Sequence, residues 1–227
     1  MIGIIGALDV ETNELKEKLT NVKIETISGI DFFSGNFNEK NVVVAKCGVG
    51  KVFASMCAEI MILKYNPDKI IHIGIAGALH KDLKIKDVAI ANDVVQHDFD
   101  FESFGMKKGQ IQGIDVVKFP CSESIVKDLV KCAEKLGINY KVGTIASGDQ
   151  FIESAVKKNS IVEDFDAIAV EMEGASTGQV CYVNGVDFAV VRSISDGSDE
   201  DAITTYNDSR KHSSDVSTLM ILEYLSL

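Results

Sequence analysis

Along this chain, short apolar runs rich in β-branched residues alternate with longer stretches whose apolar positions recur every three or four residues. The runs 2–7 (IGIIGA), 42–46, 69–74, 87–95, 142–146, 167–171 and 187–194 predict strands. Most are apolar without alternation, as expected where helices cover both faces of a sheet. Between them, Val52, Met56, Ile60 and Leu63 form one stripe over 51–64, and Ile125, Leu129, Cys132 and Leu136 form another over 122–136. A last helix over about 208–225 carries Val216, Leu219, Met220 and Tyr224. Residues 23–36 predict a hairpin. The alternation predicts a single α/β domain over 1–227, a mixed, mainly parallel central sheet flanked by helices. In such sheets ligands bind beyond the carboxyl ends of the strands, so the chemistry is sought there.

Composition narrows the choice of partner. With 34 acidic and 23 basic residues the net charge is −11, which repels nucleic acid and anionic membranes. The five cysteines, Cys47, Cys57, Cys121, Cys132 and Cys181, form no CxxC pair and no cluster with the four histidines. They read as reduced core thiols, with no metal and no cofactor expected. The opening MIGIIGALDVE lacks a basic stretch before its apolar run and reads as a first strand, not a signal peptide. These features predict a cytoplasmic protein.

The predicted strand ends gather ionisable residues. After strand 2–7, Asp9 is placed to cap a helix and Glu11 lies in its first turn, where the helix dipole alone would favour an anion. Strand 69–74 runs into GIAGAL, whose Gly74 and Gly77 permit close backbone approach to a ligand. The turn GVGKVF at 48–53 matches neither the dinucleotide fingerprint, since Phe53 stands where Gly or Ala is needed, nor a P-loop. SGDQFI at 147–152 brings Phe151 out of the sheet, to face a flat ligand or pack in the core. AVEMEGAS ends an apolar strand in Glu171 and Glu173, costly to desolvate unless bound. VVRSISD carries Arg192 and Asp196, which could be an ordinary buried ion pair. Four such groups at neighbouring strand ends are more often a site than scaffold.

The segments IGIIGALDVE, CGVGKV, GIAGAL, HDFDFESFG, SGDQFI, AVEMEGAS and VVRSISD resemble, in order and over nearly the whole length, the 5′-methylthioadenosine/S-adenosylhomocysteine nucleosidases of the nucleoside phosphorylase superfamily. The resemblance implies a nucleoside phosphorylase-like fold. It implies hydrolysis of an adenine N-glycosidic bond, with Asp196 as the acid at adenine N7, Glu11 as the base for water, and Arg192 orienting Glu11 and that water. Glu173 would hold the ribose hydroxyls above Met172. Phe151 would stack on adenine while the Ile152 backbone reads its edge. Leu8, Ile75, Gly77, Glu171, Ser195 and Tyr206 would line the rest, Glu171 either near the purine or as support for its loop. Val49, Phe101 and Phe104 would reach the 5′ pocket from a neighbouring subunit, which implies a homodimer. Ile75 departs from the usual Ser or Thr, and Leu8 from a common Met.

The chemistry of the residues agrees with this. Adenine is a poor leaving anion, so an acid with a pKa raised by burial is the largest single help. A phosphorylase would need fixed arginine forks for phosphate, and this chain has two arginines, Arg192 and Arg210. Two more functions stand beside these, an aminodeoxyfutalosine nucleosidase and a non-catalytic nucleoside-binding module. The module needs neither Glu11 nor Asp196.

Overall fold

A computed structural model of the chain describes residues 1–199 and 201–227. The first half runs β1 (Ile2–Gly6), α1 (Asp9–Lys18), β2 (Thr20–Ile27), β3 (Ile30–Phe37), β4 (Lys40–Lys46), α2 (Lys51–Tyr65), β5 (Lys69–Ala78) and β6 (Val88–Gln96). The second runs β7 (Phe119–Pro120), α3 (Glu123–Leu136), β8 (Tyr140–Ser147), α4 (Ala155–Phe165), β9 (Ala167–Glu171), α5 (Gly174–Asn184), β10 (Asp187–Asp196) and α6 (Ala202–Leu225). The predicted strands are all present, and β2 with β3 is the predicted hairpin. Two helices, α4 and α5, were not predicted, and α6 starts at Ala202 rather than near 208.

The strands form one mixed sheet. Its parallel pairings are β1 with β4 and β5, β5 with β10, β6 with β8, and β8 with β9. One feature departs from an open wound sheet. β5 pairs with β10 along its length and with β1 only up to His72, and beyond that its end, at Gly77 and Ala78, pairs antiparallel with β9. As β10 also pairs with β6, the strands β5, β10, β6, β8 and β9 close into a ring. The ten-residue length of β5 makes the closure possible, since its second half outruns β1 and is free to take another partner.

Two cores cover the two faces. Ile5, Val43 and Ile70 point toward α2 and α5, packing with Ala54, Met61 and Cys181. Ile4, Val42, Val44 and Ile71 point toward α1, α3 and α6, packing with Leu15, Leu129, Met220 and Tyr224. Both sides of these strands are buried, hence their lack of alternation. All five cysteines are buried free thiols. Among the described residues no helix is long and apolar enough to cross a membrane.

Candidate active site

The ends of β1, β5, β9 and β10 converge on one pocket. It is lined by Leu8, Glu11, Ile75, Gly77, Phe151, Ile152, Glu171, Met172, Glu173, Ser195, Asp196 and Tyr206, all expected from sequence, together with Ala7, Val49, Ala76, Gln150, Val170 and Ser198. Phe151 and Tyr206 meet edge to face at the pocket, ring centroids 5.6 Å apart.

Glu11 does more than complement a helix dipole. It is 3% exposed, and Oε2 accepts the N–H of Ala7 at 2.7 Å and of Leu8 at 2.8 Å. Oε1 accepts the N–H of Ile75 at 3.2 Å. Burial raises its pKa against the pull of the Arg192 charge and these backbone donors. Asp9 does not cap α1. The cap position belongs to Leu8, and Asp9 instead pairs with Lys46 at 2.9 Å on the surface. Gly74 explains the close seat of the base: a Cβ there would lie 2.7 Å from Glu11 Oε1 and 3.2 Å from Arg192 Nη1.

Arg192 and Asp196 are not an ion pair. Arg192, fully buried in β10, reaches Glu171 with both Nε, at 3.1 Å, and Nη2. Burial works against its charge, but Glu171, Glu173 and Glu11 outweigh this and raise its pKa. It donates no hydrogen bond to Glu11, so its hold on the base is electrostatic rather than by direct contact. Glu171 is correspondingly filled from within the protein. It also accepts from Ser147 Oγ, from the Glu173 N–H at 3.1 Å and from the Gly174 N–H at 2.8 Å, while Ser147 Oγ accepts the Ala175 N–H at 2.7 Å. Of the two roles open for Glu171 in sequence, support is the one its bonds serve. It forms the pocket floor, with its oxygens occupied by protein donors.

Asp196 sits at the far end of β10, opposite Gly77. A Cβ on Gly77 would come within 2.7 Å of its Oδ1. It is 4% exposed and accepts from Ser195 Oγ at 2.8 Å and from the Ser198 N–H at 2.9 Å. Burial raises its pKa, opposed by those two bonds. Glu173, 6% exposed, accepts the Gly50 N–H on Oε1 at 2.8 Å. Burial and the neighbouring Glu171 charge push its pKa up to about 8.

Val49, expected from a neighbouring subunit, lines the pocket of its own chain. Phe101 and Phe104, expected at a neighbouring subunit's pocket, lie off this one, stacked on each other with centroids 4.7 Å apart. His72 lies inside β5, buried against Thr177 Oγ1 at 2.8 Å. Sequence reasoning missed Gln150, Ser198 and the bracing hydroxyl of Ser147, although SGDQFI contains the first and last and Ser198 follows Gly197 just after RSISD.

The Phosphorylase superfamily model matches residues 1–226. The chain belongs to that superfamily. Within it, it is a member of the 5′-methylthioadenosine/S-adenosylhomocysteine nucleosidases, an N-glycosyl hydrolase family. A nucleosidase of that name from Marinomonas sp. (strain MWYL1) is 36% identical over 227 residues, covering 99% of this chain and 98% of the other. The Neisseria meningitidis nucleosidase, crystallised with methylthio-immucillin-A, superposes with a TM-score of 0.97 at 31% identity, covering 100% of this chain and 99% of the other. A futalosine hydrolase of Helicobacter pylori strain 26695 superposes at 0.95 with 36% identity, covering 99% and 97%. The nucleosidase fold is thus shared across nearly the full length.

Proposed function

We propose that this chain hydrolyses the N-glycosidic bond of 5′-methylthioadenosine and S-adenosylhomocysteine, and of 5′-deoxyadenosine, releasing adenine. One observation carries the reading: three buried carboxylates, Glu11, Glu173 and Asp196, line a single apolar pocket, and the buried Arg192 guanidinium behind it is already taken by Glu171. Asp196, with its pKa raised by burial, protonates adenine N7. Glu11, a base strengthened by burial, takes the proton of the attacking water. Arg192 stabilises the Glu11 anion through space. Glu173 accepts from the ribose hydroxyls, whose donated hydrogen bonds favour its ionised form over the proton it holds when ligand-free, and that charge suits a sugar that becomes oxocarbenium-like as the bond breaks. Phe151 stacks on the base, Ile152 bounds its edge, and Leu8, Ile75 and Tyr206 shape the sugar and 5′ side.

The likeness to a futalosine hydrolase supports a second substrate, aminodeoxyfutalosine, which shares adenine and ribose and differs at the 5′ group. The biological setting that fits is cytoplasmic recycling of adenosylmethionine by-products in methionine salvage. The exposed apolar residues Val52, Phe53 and Met56 along α2 support assembly as a homodimer.

The test is product chemistry. In phosphate-free buffer the enzyme is expected to convert methylthioadenosine to adenine and free 5-methylthioribose. Added phosphate should yield no sugar 1-phosphate, because the dianion would need free fixed cations beside three carboxylates. Sugar 1-phosphate that scales with phosphate overturns hydrolysis. Absence of any adenine favours the binding module.

A further inference from the structure

Two segments distinctive in the sequence supply no acid or base to this chemistry, the GVGK turn that opens α2 and the HDFD stretch that follows β6. The structure joins them. The Lys51 ammonium donates to Asp98 Oδ1 at 2.7 Å and to Gln96 Oε1 at 3.1 Å. The other Asp98 oxygen accepts the Asp149 N–H at 2.9 Å. Asp149 Oδ1 in turn accepts the Lys51 N–H at 2.8 Å. Lys51, Asp98 and Asp149 therefore close a ring that ties together the loops before α2, after β6 and after β8. The Lys51 and Asp98 side chains are only 17% and 14% exposed.

Each end of the ring touches the pocket. Gly50, adjacent to Lys51, gives its N–H to Glu173 Oε1. Asp149 is followed directly by Gln150, Phe151 and Ile152, which line the pocket. Neither Lys51 nor Asp98 belongs to the two cores, and desolvating an ammonium and a carboxylate is costly. What the ring supplies in return is direction: it fixes the helix start so that one particular amide faces Glu173.

We propose that Lys51, acting through Asp98 and Asp149, is a positioning residue for the nucleosidase reaction, holding the Gly50 N–H on one oxygen of Glu173 so that the other meets the ribose hydroxyls. The inference rests on the nucleosidase reading above. Asp196 and Glu11 lie on other elements, β10 and α1, so the ring governs sugar binding more than proton transfer.

The experiment compares wild type and Lys51→Met on methylthioadenosine and its 2′-deoxy analogue, alone and with Glu173→Gln. Losing the fixed donor should raise KM for methylthioadenosine about tenfold while kcat changes by less than about threefold. The loss should be smaller for the 2′-deoxy analogue, smaller in Lys51→Arg, and largely absent when Glu173→Gln is already present. Asp98→Asn should reproduce the pattern, and it carries the test if Lys51→Met does not fold. An unchanged KM, equal losses on both substrates, or additivity with Glu173→Gln overturns the assignment. Wild-type protein that releases no adenine overturns the nucleosidase reading as well, whereas active wild type with an unaffected variant overturns the positioning role alone.

Discussion

Glu171 and Glu173 stand two residues apart at one strand end and are almost equally buried, yet they belong to different regions of the pocket. Glu171 forms the floor. Its oxygens are filled by Ser147 Oγ, the amides of Glu173 and Gly174 at the start of α5, and the Arg192 fork. Glu173, Glu11 and Asp196 form the walls. Among the described residues, Glu173 draws on the Gly50 amide, Asp196 on one hydroxyl and one amide, and Glu11 on three amides. Burial therefore raises the pKa of each wall carboxylate. The difference teaches that a buried acid at a strand end is structural when the protein supplies its partners, and functional when acceptor capacity and a raised pKa are left over.

The largest expected effect tests a wall. Asp196→Asn should lower kcat by about 10²–10⁴-fold, the usual worth of a general acid, while methylthioadenosine still binds. The unfolding free energy should stay within about 1 kcal/mol of wild type, because the amide removes a charge whose burial was unfavourable. Adenine release, calorimetric binding and denaturant titration check the three parts. A variant that keeps its kcat removes Asp196 from the mechanism.

Next comes the floor. Glu171→Ala leaves the Arg192 guanidinium buried without its partner and strips the donors at the start of α5. Breaking a buried pair in this way costs about 3–5 kcal/mol, read as a lower denaturant midpoint. The two predictions together define the comparison. If Asp196→Asn were as destabilising as Glu171→Ala, floor and walls would be one network and the distinction would fail.

Much of this was legible in the sequence, and the rest was hidden for identifiable reasons. Unbroken apolar runs marked the central strands because both faces are covered. The stripe of α3 was visible because that helix has one buried face. The α2 stripe was misleading: Val52, Met56 and Leu63 are exposed, and the core takes Ala54, Cys57, Ala58 and Met61 instead. α5 left no such trace. Its first five residues, Gly174 to Gly178, are small or polar and all buried, so periodicity has no contrast to report. α4 buries only Ile161 and Phe165. Ring closure depends on where β5 changes partners, which no local pattern encodes. In the site, the residue types at the strand ends pointed to acid chemistry. The choice of partner for Arg192 did not: Asp196 shares its strand, whereas Glu171 ends β9 and meets Arg192 only in the folded sheet.

The third prediction concerns Glu173, where binding and pH both read its unfilled capacity. Glu173→Gln should weaken substrates carrying both ribose hydroxyls by roughly 1.5–3 kcal/mol, the worth of a charged hydrogen bond, with much less loss on 2′-deoxy analogues. Its folded pKa of about 8 lies above its ordinary 4.5. Between those values the folded protein holds a proton that the unfolded chain has released. Stability of the ligand-free enzyme should therefore fall as pH rises through that window, by up to about 1.4 kcal/mol per pH unit. The dependence from this group ends below the window, where both states are protonated, and above it, where both are ionised. Glu173→Gln should flatten the slope. Unfolding titrations across the window check this, and a slope unchanged in the variant would place Glu173 with the floor.

The smallest effect is expected at Ile75, and it asks whether the wall at Glu11 needs a hydroxyl that this chain lacks. Ile75 reaches the base through its backbone, the N–H donating to Glu11 Oε1 at 3.2 Å, while Ala7 and Leu8 hold the other oxygen. All three donors are main-chain groups, so none is lost when the side chain changes. A β-branched threonine keeps the strand geometry that aims the amide. Ile75→Thr should accordingly leave kcat/KM for methylthioadenosine within about tenfold of wild type, under about 1.4 kcal/mol in transition-state binding. The measurement is a side-by-side rate comparison with apo stability as a control, where removal of apolar surface should lower the midpoint slightly. A gain of a hundredfold or more would mean that water is held by a side-chain hydroxyl. The amide seat of Glu11 would then be insufficient, and this wall would depend on a group outside the backbone.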